Sequence, residues 1–427
     1  MNQPHTISND DPVAVIGAGP VGLAAAAHLL EQGLEPVIFE VDPAPGRTFR
    51  DVAHVRLFSP WRYNIDDAAG RLLDAVGWQR PDPNALPTAG ELLHRYLEPL
   101  AAHPDLAKRL RLATRVTGIT RQGVDKVRTR GRDAHPLLLR VSNGAGRDEE
   151  HLAAAVLDAT GTWAHPNPLG ASGLPAMGEE QFAEWISYGM PDVLGRERTY
   201  YEGRTILVVG AGHSAAGNLL ALAKLADVHP GTRIHWAVRG ATPHRLLGQT
   251  GKDSLPARGA LGERVNALLR SGHLTPHAGF PIQEIRASDG RMMVIPTSNS
   301  GREPLQGIDR IIAATGSRPD MALARELRVQ LDPALECVPA LAPLVDPNEH
   351  SCGTVAPHGH RELAQPEPGF YIVGAKSYGR APTFLMSTGY EQVRSIAAAL
   401  GGDLPAADNV ALELPATGVC GAPGTGA

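Results

Sequence analysis

Apolar residues along this chain gather into short continuous runs set off by glycine-rich turns, and two of these runs open onto the same arrangement. Val13–Ile16 is a row of apolar residues, as in a parallel strand buried on both faces. An Ala/Leu-rich stretch from about Pro20 to Gln32 follows and favours helix, with Gly33 to end it. Pro36–Phe39 then reads as a second strand. The order recurs later: Thr205–Val209 as strand, another Ala/Leu-rich stretch, then Arg233–Val238 as strand. Asp309–Ala314 and Pro368–Gly374 are late buried-strand runs that each meet a glycine.

Other patterns fill the intervals. Residues Ala89 to His103 carry Leu92, Leu93, Tyr96, Leu97 and Leu100 at helical spacing, with Thr88 and Glu91 placed as a capping box. Between Leu112 and Leu157, the alternating Thr114–Thr120, the strand-like Leu137–Val141 and the apolar Leu152–Leu157 predict a small antiparallel meander. Pro166–Pro175 reads as a linker, Thr242–Arg258 as a polar, glycine-punctuated lid, and a helix is expected up to about Leu400. Gly401–Ala427 is Gly/Ala/Pro-rich and is expected to lack order.

The turns carry the candidate chemistry. Gly17, Gly19 and Gly22 have the spacing G-x-G-x-x-G between the first strand and its helix. The first glycine allows a sharp turn, the second lets backbone approach a pyrophosphate, and the third lets helix and strand pack closely. Pro20 opens a helix whose N-terminus offers free N–H groups and partial positive charge to phosphate. Glu40, at the end of the second strand, is placed to bind both ribose hydroxyls of an adenosine. In the second unit Gly210, Gly212 and Gly217 carry the glycines; Ala215 takes the place of the third, and His213 and Ser214 lie inside the turn. The strand after it ends in Arg239, a cation that favours a 2′-phosphate and hence NADP over NAD. Two strands lead into A-T-G, at Thr160-Gly161 and at Thr315-Gly316, bringing backbone toward a dinucleotide.

Size and charge narrow the classes. With 427 residues the chain can hold two or three domains, and a net charge of −5 gives no basic face for nucleic acid. No apolar run is long enough to span a membrane, and residues 1–11 are polar, so a cytoplasmic protein is expected. The cysteines, Cys337, Cys352 and Cys420, form no C-x-x-C. Gly46 and Arg47 are candidates to lie along a diphosphate. Trp61, Arg62 and Tyr63 form either a platform for a flat ring or a surface loop with a buried Trp. His350, Cys352, His358 and His360, with Cys337 upstream, match no standard zinc spacing. They read as an ordinary loop or as the setting of one redox thiol, Cys352. No metal site is expected. Tyr378–Thr388 either closes over a ring or caps the last helix.

VIGAGPVG, DATGTW, VVGAGHSAAG, IIAATGSRP and YIVGAKSYGRAPTFLMSTG together resemble the two-dinucleotide-binding flavoproteins. Among these the chain is similar to the flavin-containing monooxygenases and their bacterial relatives of arsenic-resistance operons, over about residues 12–400. The resemblance implies an α/β protein of two Rossmann-like doubly wound domains. The NADPH domain (169–306) is inserted into a discontinuous FAD domain (1–168 and 307–400) that carries the meander, before the tail 401–427. It implies FAD on Gly17, Gly19, Gly22 and Glu40, and Pro20, Arg47, Trp61, Arg62, Thr160, Gly161 and Gly374 are further candidates for cofactor binding. It implies NADPH on Gly210, Gly212, Ser214 and Arg239, with His213 and Gly316 as further candidates for cofactor binding.

The implied reaction inserts one oxygen atom from O₂ into a small molecule through a peroxyflavin, at nitrogen, sulfur or a carbonyl. Two departures keep a flavin reductase without oxygen insertion open as an alternative. The fingerprint F-x-G-x-x-x-H, with an aromatic four positions on, has no counterpart before the second turn, where Glu184–Arg204 lacks histidine. The late Gly-Asp of some relatives is Gly374-Ala375. No nucleophile is implied; Trp61, Arg62, Tyr63 and Cys352 are the candidates nearest the chemistry. A flavin-binding sensor is a third, weaker reading, since a sensor needs no hydride donor, and the oligomeric state is open between monomer and homodimer.

Overall fold

The computed structural model describes residues 12–241, 256–347, 355, 357–382 and 384–412. In chain order the strands are β1 (Val13–Ile16), β2 (Pro36–Phe39), β3 (Leu110–Arg111), β4 (Thr114–Arg121), β5 (Leu137–Asn143), β6 (Asp148–Ala153) and β7 (Ala155–Asp158). There follow β8 (Ile186–Tyr188), β9 (Thr205–Val209), β10 (Arg233–Val238), β11 (Thr275–Ala278), β12 (Ile282–Ser288), β13 (Arg291–Pro296), β14 (Leu305–Ile308), β15 (Arg310–Ala313) and β16 (Phe370–Ile372). The longer helices are α1 (Pro20–Glu31), α2 (Asp67–Ala75), α3 (His213–Val228), α4 (Pro256–Ser271) and α5 (Met386–Leu400).

The described residues divide into two compact units, 12–164 with 318–412, and 165–317. The first holds a five-stranded sheet in the order β16-β7-β1-β2-β3, all parallel. Both faces are covered, so β1 and β7 are wholly apolar or buried along their length. Val21 to Leu29 of α1 are buried on every side, which its run of alanines permits. The chain leaves β1 toward β2 on one side and later adds β7 on the other. The carboxyl ends of β1 and β7 are therefore a topological switch point, where open α/β sheets bind ligands.

The expected meander is β4-β5-β6, antiparallel. Its third strand differs from expectation. The apolar run Leu152–Leu157 splits at Ala154, whose N–H donates to the Pro12 carbonyl at 3.0 Å. The charged residues before the split form the exposed strand β6, and the apolar residues after it enter the parallel sheet as β7.

Far-separated stretches of this unit are pinned by a buried ionic cluster. Glu367 accepts from Arg121 Nε at 2.8 Å and from the Arg328 N–H at 3.0 Å, and Arg132 Nη1 donates to both of its oxygens. All three side chains of the ionic cluster are buried. Burial alone would raise the Glu367 carboxyl, but the Arg328 N–H and the guanidinium groups of Arg121 and Arg132 hold it below the usual carboxylate range.

The second unit repeats the plan with a parallel sheet β11-β10-β9-β15-β8 and a separate antiparallel sheet β12-β13-β14. Its switch point lies at β9 and β15. One sequence expectation changes here, and one element appears that the sequence pattern did not predict. The boundary at 306 falls too early, because the apolar run Arg310–Ala313 completes this unit's sheet, pairing with Ile206–Val209 on one side and Ile186–Tyr188 on the other. The stretch before it contains the β12–β13 hairpin, whose Asp289-Gly290 turn has φ of 51° and 73°, as a mirror-type hairpin turn requires.

The lid expectation for Thr242–Arg258 lies largely outside the described residues; its last three residues begin α4. The tail is not featureless throughout. Leu404–Asp408 forms a short helix capped by the Asp403 side chain, which accepts from the Ala406 N–H, and the Arg361 guanidinium anchors Asp408 through two hydrogen bonds of 2.6 Å. Residues 413–427 lie outside the described residues.

Candidate functional site

The first glycine turn has the geometry its spacing requires. Gly17 has φ of 103°, and a Cβ there would stand 2.8 Å from the Ala159 carbonyl oxygen. A Cβ on Gly22 would overlap the Gly17 carbonyl, so the third glycine is needed for helix-to-turn packing. Gly19 differs: it is the N-cap of α1 in extended conformation, and a Cβ there would meet nothing within 4 Å. Its open side faces the space that a phosphate group needs if it is to reach the helix N-terminus. Pro20 sits at the first helical position, where its missing N–H costs nothing.

Glu40 is buried, and its carboxylate accepts from the Ala18 N–H at 2.7 Å and from the Asp42 N–H at 3.0 Å. It is thereby locked to the turn itself. Gly46, in the left-handed region, donates its N–H to the Ala18 carbonyl at 3.2 Å and brings the following loop to the same place. Arg47 next to it is exposed, 3.7 Å from both Asp42 and Asp51.

The A-T-G at the end of β7 folds back beneath the turn. The Thr160 hydroxyl donates to Asp158 Oδ1 at 2.7 Å, and Gly161 has φ of 69°. Lys376 Nζ, itself buried, donates to Asp158 Oδ2 at 2.7 Å and to Thr160 Oγ1 at 2.9 Å. Sequence reasoning missed Asp158 and Lys376; the one available signal was a lysine directly after the position where relatives carry an acid. The turn Gly374–Tyr378 that presents Lys376 is fixed from α5. Gln392 Oε1 accepts from the Gly374 N–H at 2.8 Å, and its Nε2 donates to Ser377 Oγ at 2.9 Å. Gly374 has φ of 69° and lies against Val21 of α1.

Three expected contributors sit elsewhere than their types suggested. Trp61 is a core side chain at 2% exposure, with the Arg95 guanidinium 5.6 Å from its ring, so it offers no open face. Arg62 points outward, stacked 4.9 Å over Tyr63 and hydrogen-bonded to Asn84. The buried-Trp loop is thus the reading this geometry fits. Tyr378 is likewise packed, edge-on to Phe384 at 5.2 Å and near His358 at 5.6 Å, and burial pushes its phenol up.

The His/Cys stretch is dispersed among the described residues. His358 is buried against Gln392 at 2.8 Å, His360 reaches Asp408 at 2.9 Å, and burial pushes the Cys337 thiol up to about 12. A thiol so placed is inert at neutral pH. His350 and Cys352 lie outside the described residues.

The second turn repeats the first with changed details. Gly210 has φ of 136°, and a Cβ there would overlap the Ala314 carbonyl, the counterpart of Ala159. Gly212 caps α3 and has open space beside it, with His213 and Ser214 in the helix's first turn. Ala215 is fully buried in place of the third glycine, while Gly217 makes room for the Met190 methyl. Arg239 follows β10, is exposed, and donates to the Ala171 carbonyl at 3.2 Å. Gly316 has φ of 83°.

Comparison with known proteins fits this geometry. The NAD(P)-binding Rossmann-like domain family matches residues 15–69, which contain the first glycine turn and Glu40. Human flavin-containing monooxygenase 1 is 27% identical over 221 residues, 50% of this chain and 38% of that enzyme. The chain thus spans well under half the length of that relative. Bacillithiol disulfide reductase from Bacillus cereus superposes with a TM-score of 0.65 at 19% identity, covering 92% of this chain and 99% of that one. The cadaverine monooxygenase of desferrioxamine biosynthesis from Erwinia amylovora, solved bound to FAD, superposes with a TM-score of 0.62 at 15% identity over 96% of each chain. The fold is that of the two-unit flavoproteins. No helix among the described residues is long and apolar enough to cross a membrane.

Proposed function

We propose that this chain is an FAD-dependent, NADPH-consuming oxidoreductase, and that it acts as a monooxygenase on a small molecule with O₂ as co-substrate. The observation that carries the reading is the pairing of two glycine turns with second-strand ends of opposite charge: buried Glu40 in the first unit and exposed Arg239 in the second. An acid at that position suits unmodified ribose hydroxyls, as in FAD, and a cation suits the 2′-phosphate of NADPH.

The FAD site would be formed by the backbone of Gly17–Pro20, the Glu40 carboxylate, and the turns at Thr160-Gly161 and Gly374. Gly19 leaves the open side that a diphosphate requires. Bound there, FAD would supply the redox chemistry between NADPH and O₂. The chain's own part is to bind, orient and keep water out. The α1 N-terminus offers unpaired N–H groups to phosphate, and Glu40 holds the Ala18 N–H so that the turn is set before a nucleotide arrives. Gly210, Gly212, Ser214 and Arg239 would hold NADPH.

Similarity to flavin-containing monooxygenase 1 supports oxygen insertion. A reductase is the second reading, favoured by the superposition on a disulfide reductase and by the absence of histidine in Glu184–Arg204. Labelled O₂ separates the two. With NADPH and a panel of amines, sulfides and ketones, a monooxygenase places the label in product, whereas a reductase consumes NADPH and releases the label only as peroxide or water.

A further inference from the structure

We propose that Lys376 is a charge-compensating positioning residue for FAD: its ammonium neutralises the buried Asp158 carboxylate beneath the first glycine turn, so that an anionic diphosphate can settle there. The inference rests on the FAD assignment above and adds a role for two residues that the glycine motif does not include.

The geometry places the pair at the switch point. Asp158 ends β7, directly alongside Ile16 of β1 in the sheet register. The Ala159 carbonyl that follows it presses on Gly17. A carboxylate here, 0% exposed, would set a full negative charge in a low-dielectric wall next to the place where phosphate charge must accumulate. Lys376 Nζ lies 2.7 Å from one Asp158 oxygen, and Thr160 donates to the other at 2.7 Å. The ammonium also donates to Thr160 Oγ1, whose residue reaches the exposed side of the turn. The net charge of this wall is thereby close to zero, with the cation's third proton still to be oriented.

The second unit supplies the internal control. Its corresponding strand ends Ala313-Ala314-Thr315-Gly316, and the residue matching Asp158 is the buried Ala313. The Ala314 carbonyl packs on Gly210 as Ala159 does on Gly17. Packing of A-T-G beneath a glycine turn therefore does not require an ion pair. In the first unit the pair is an addition. Its cation arrives on a turn that Gln392 and Ser377 hold in one conformation.

The test uses the 427-residue chain stripped of bound flavin, with FAD affinity read from quenching of flavin fluorescence and folding from the thermal midpoint. Three variants are compared: Lys376→Met, Asp158→Asn, and the two together. Each single variant breaks the same contact, so a purely structural brace predicts equal losses of FAD affinity. Charge compensation predicts opposite signs. Lys376→Met weakens FAD about tenfold or more, Asp158→Asn leaves a net cation and tightens it, and the double variant returns to within about threefold of wild type. If Lys376→Met fails to fold, the Asp158→Asn sign and the double variant decide. Equal weakening in all three overturns the charge role while leaving the FAD assignment intact. A wild-type chain that takes up no FAD overturns that assignment, and this proposal with it.

Discussion

The two units are built on one plan and differ in what they fix in advance. In each, a parallel sheet brings an A-T-G under a glycine turn, and the carbonyl of its alanine takes the space a side chain on the first glycine would need. The first unit then locks its remaining parts. Glu40 is hydrogen-bonded into its own turn, Gly22 is pressed on Gly17, and Asp158 is paired with Lys376. The second leaves the corresponding parts looser: Arg239 is exposed, Ala215 replaces the tight third glycine, and Ala313 replaces the acid. A preformed site suits a cofactor that stays, and an exposed cation on a flexible stem suits one that exchanges each turnover. The units also differ in chain path. Among the described residues, the first is assembled from two stretches separated by the second, and the Glu367 cluster joins them, whereas the second is continuous.

That contrast can be broken, beginning where the effect is largest. Glu367→Gln removes the counter-charge of two buried guanidinium groups in the first unit and is expected to cost about 3–5 kcal/mol in urea unfolding. Because the Glu367 carboxyl is held low in the folded chain, its stabilisation is present above the unfolded carboxylate value and is lost as pH falls through the lowered folded one. Acid unfolding of the wild type should therefore be steeper than that of the variant in this range. Next, Gly22→Ala should destabilise by about 2–3 kcal/mol, since its Cβ overlaps backbone that cannot move. The matching exchange in the second unit, Ala215→Gly, should cost only about 1 kcal/mol. A Gly22→Ala variant as stable as the wild type would show that the first turn has room for the side chain that the second accepts.

Two smaller effects sharpen the functional side. Gly19→Val has room to fold, so the FAD-free chain should keep its thermal midpoint while FAD retention is lost. A yellow, fully loaded variant would remove the first turn from the site. Arg239→Ala should raise the Michaelis constant for NADPH about tenfold through loss of a charge-assisted contact, with that for NADH nearly unchanged. Equal effects on both nucleotides would remove the 2′-phosphate role.

Much of this plan was legible in the sequence wherever the determinant was local. Val13–Gly22 and Thr205–Gly212 identify strand and turn because the apolar run and the glycine spacing lie side by side in the chain, although the carbonyls that Gly17 and Gly210 meet come from the distant Ala159 and Ala314. The Asp289-Gly290 hairpin was equally local: a two-residue turn signal between apolar runs, overlooked amid a stretch of mixed composition. What sequence could not show was pairing over distance. Lys376 meets Asp158 across 218 positions, and Arg132 meets Glu367 across 235. Trp61 left two readings open because an aromatic beside an arginine looks the same in a ring-binding loop and in a core. The Arg95 guanidinium beside its ring comes from another stretch of the chain, which the local sequence does not reveal.

The central claim is that an FAD in the first unit is reduced by NADPH held by the second. An anaerobic titration of the FAD-loaded chain tests it most directly, with the visible flavin absorbance read after each addition of nucleotide. The account predicts stoichiometric bleaching by NADPH and a much weaker response to NADH. A chain that holds FAD but keeps its full colour with excess NADPH would contradict it.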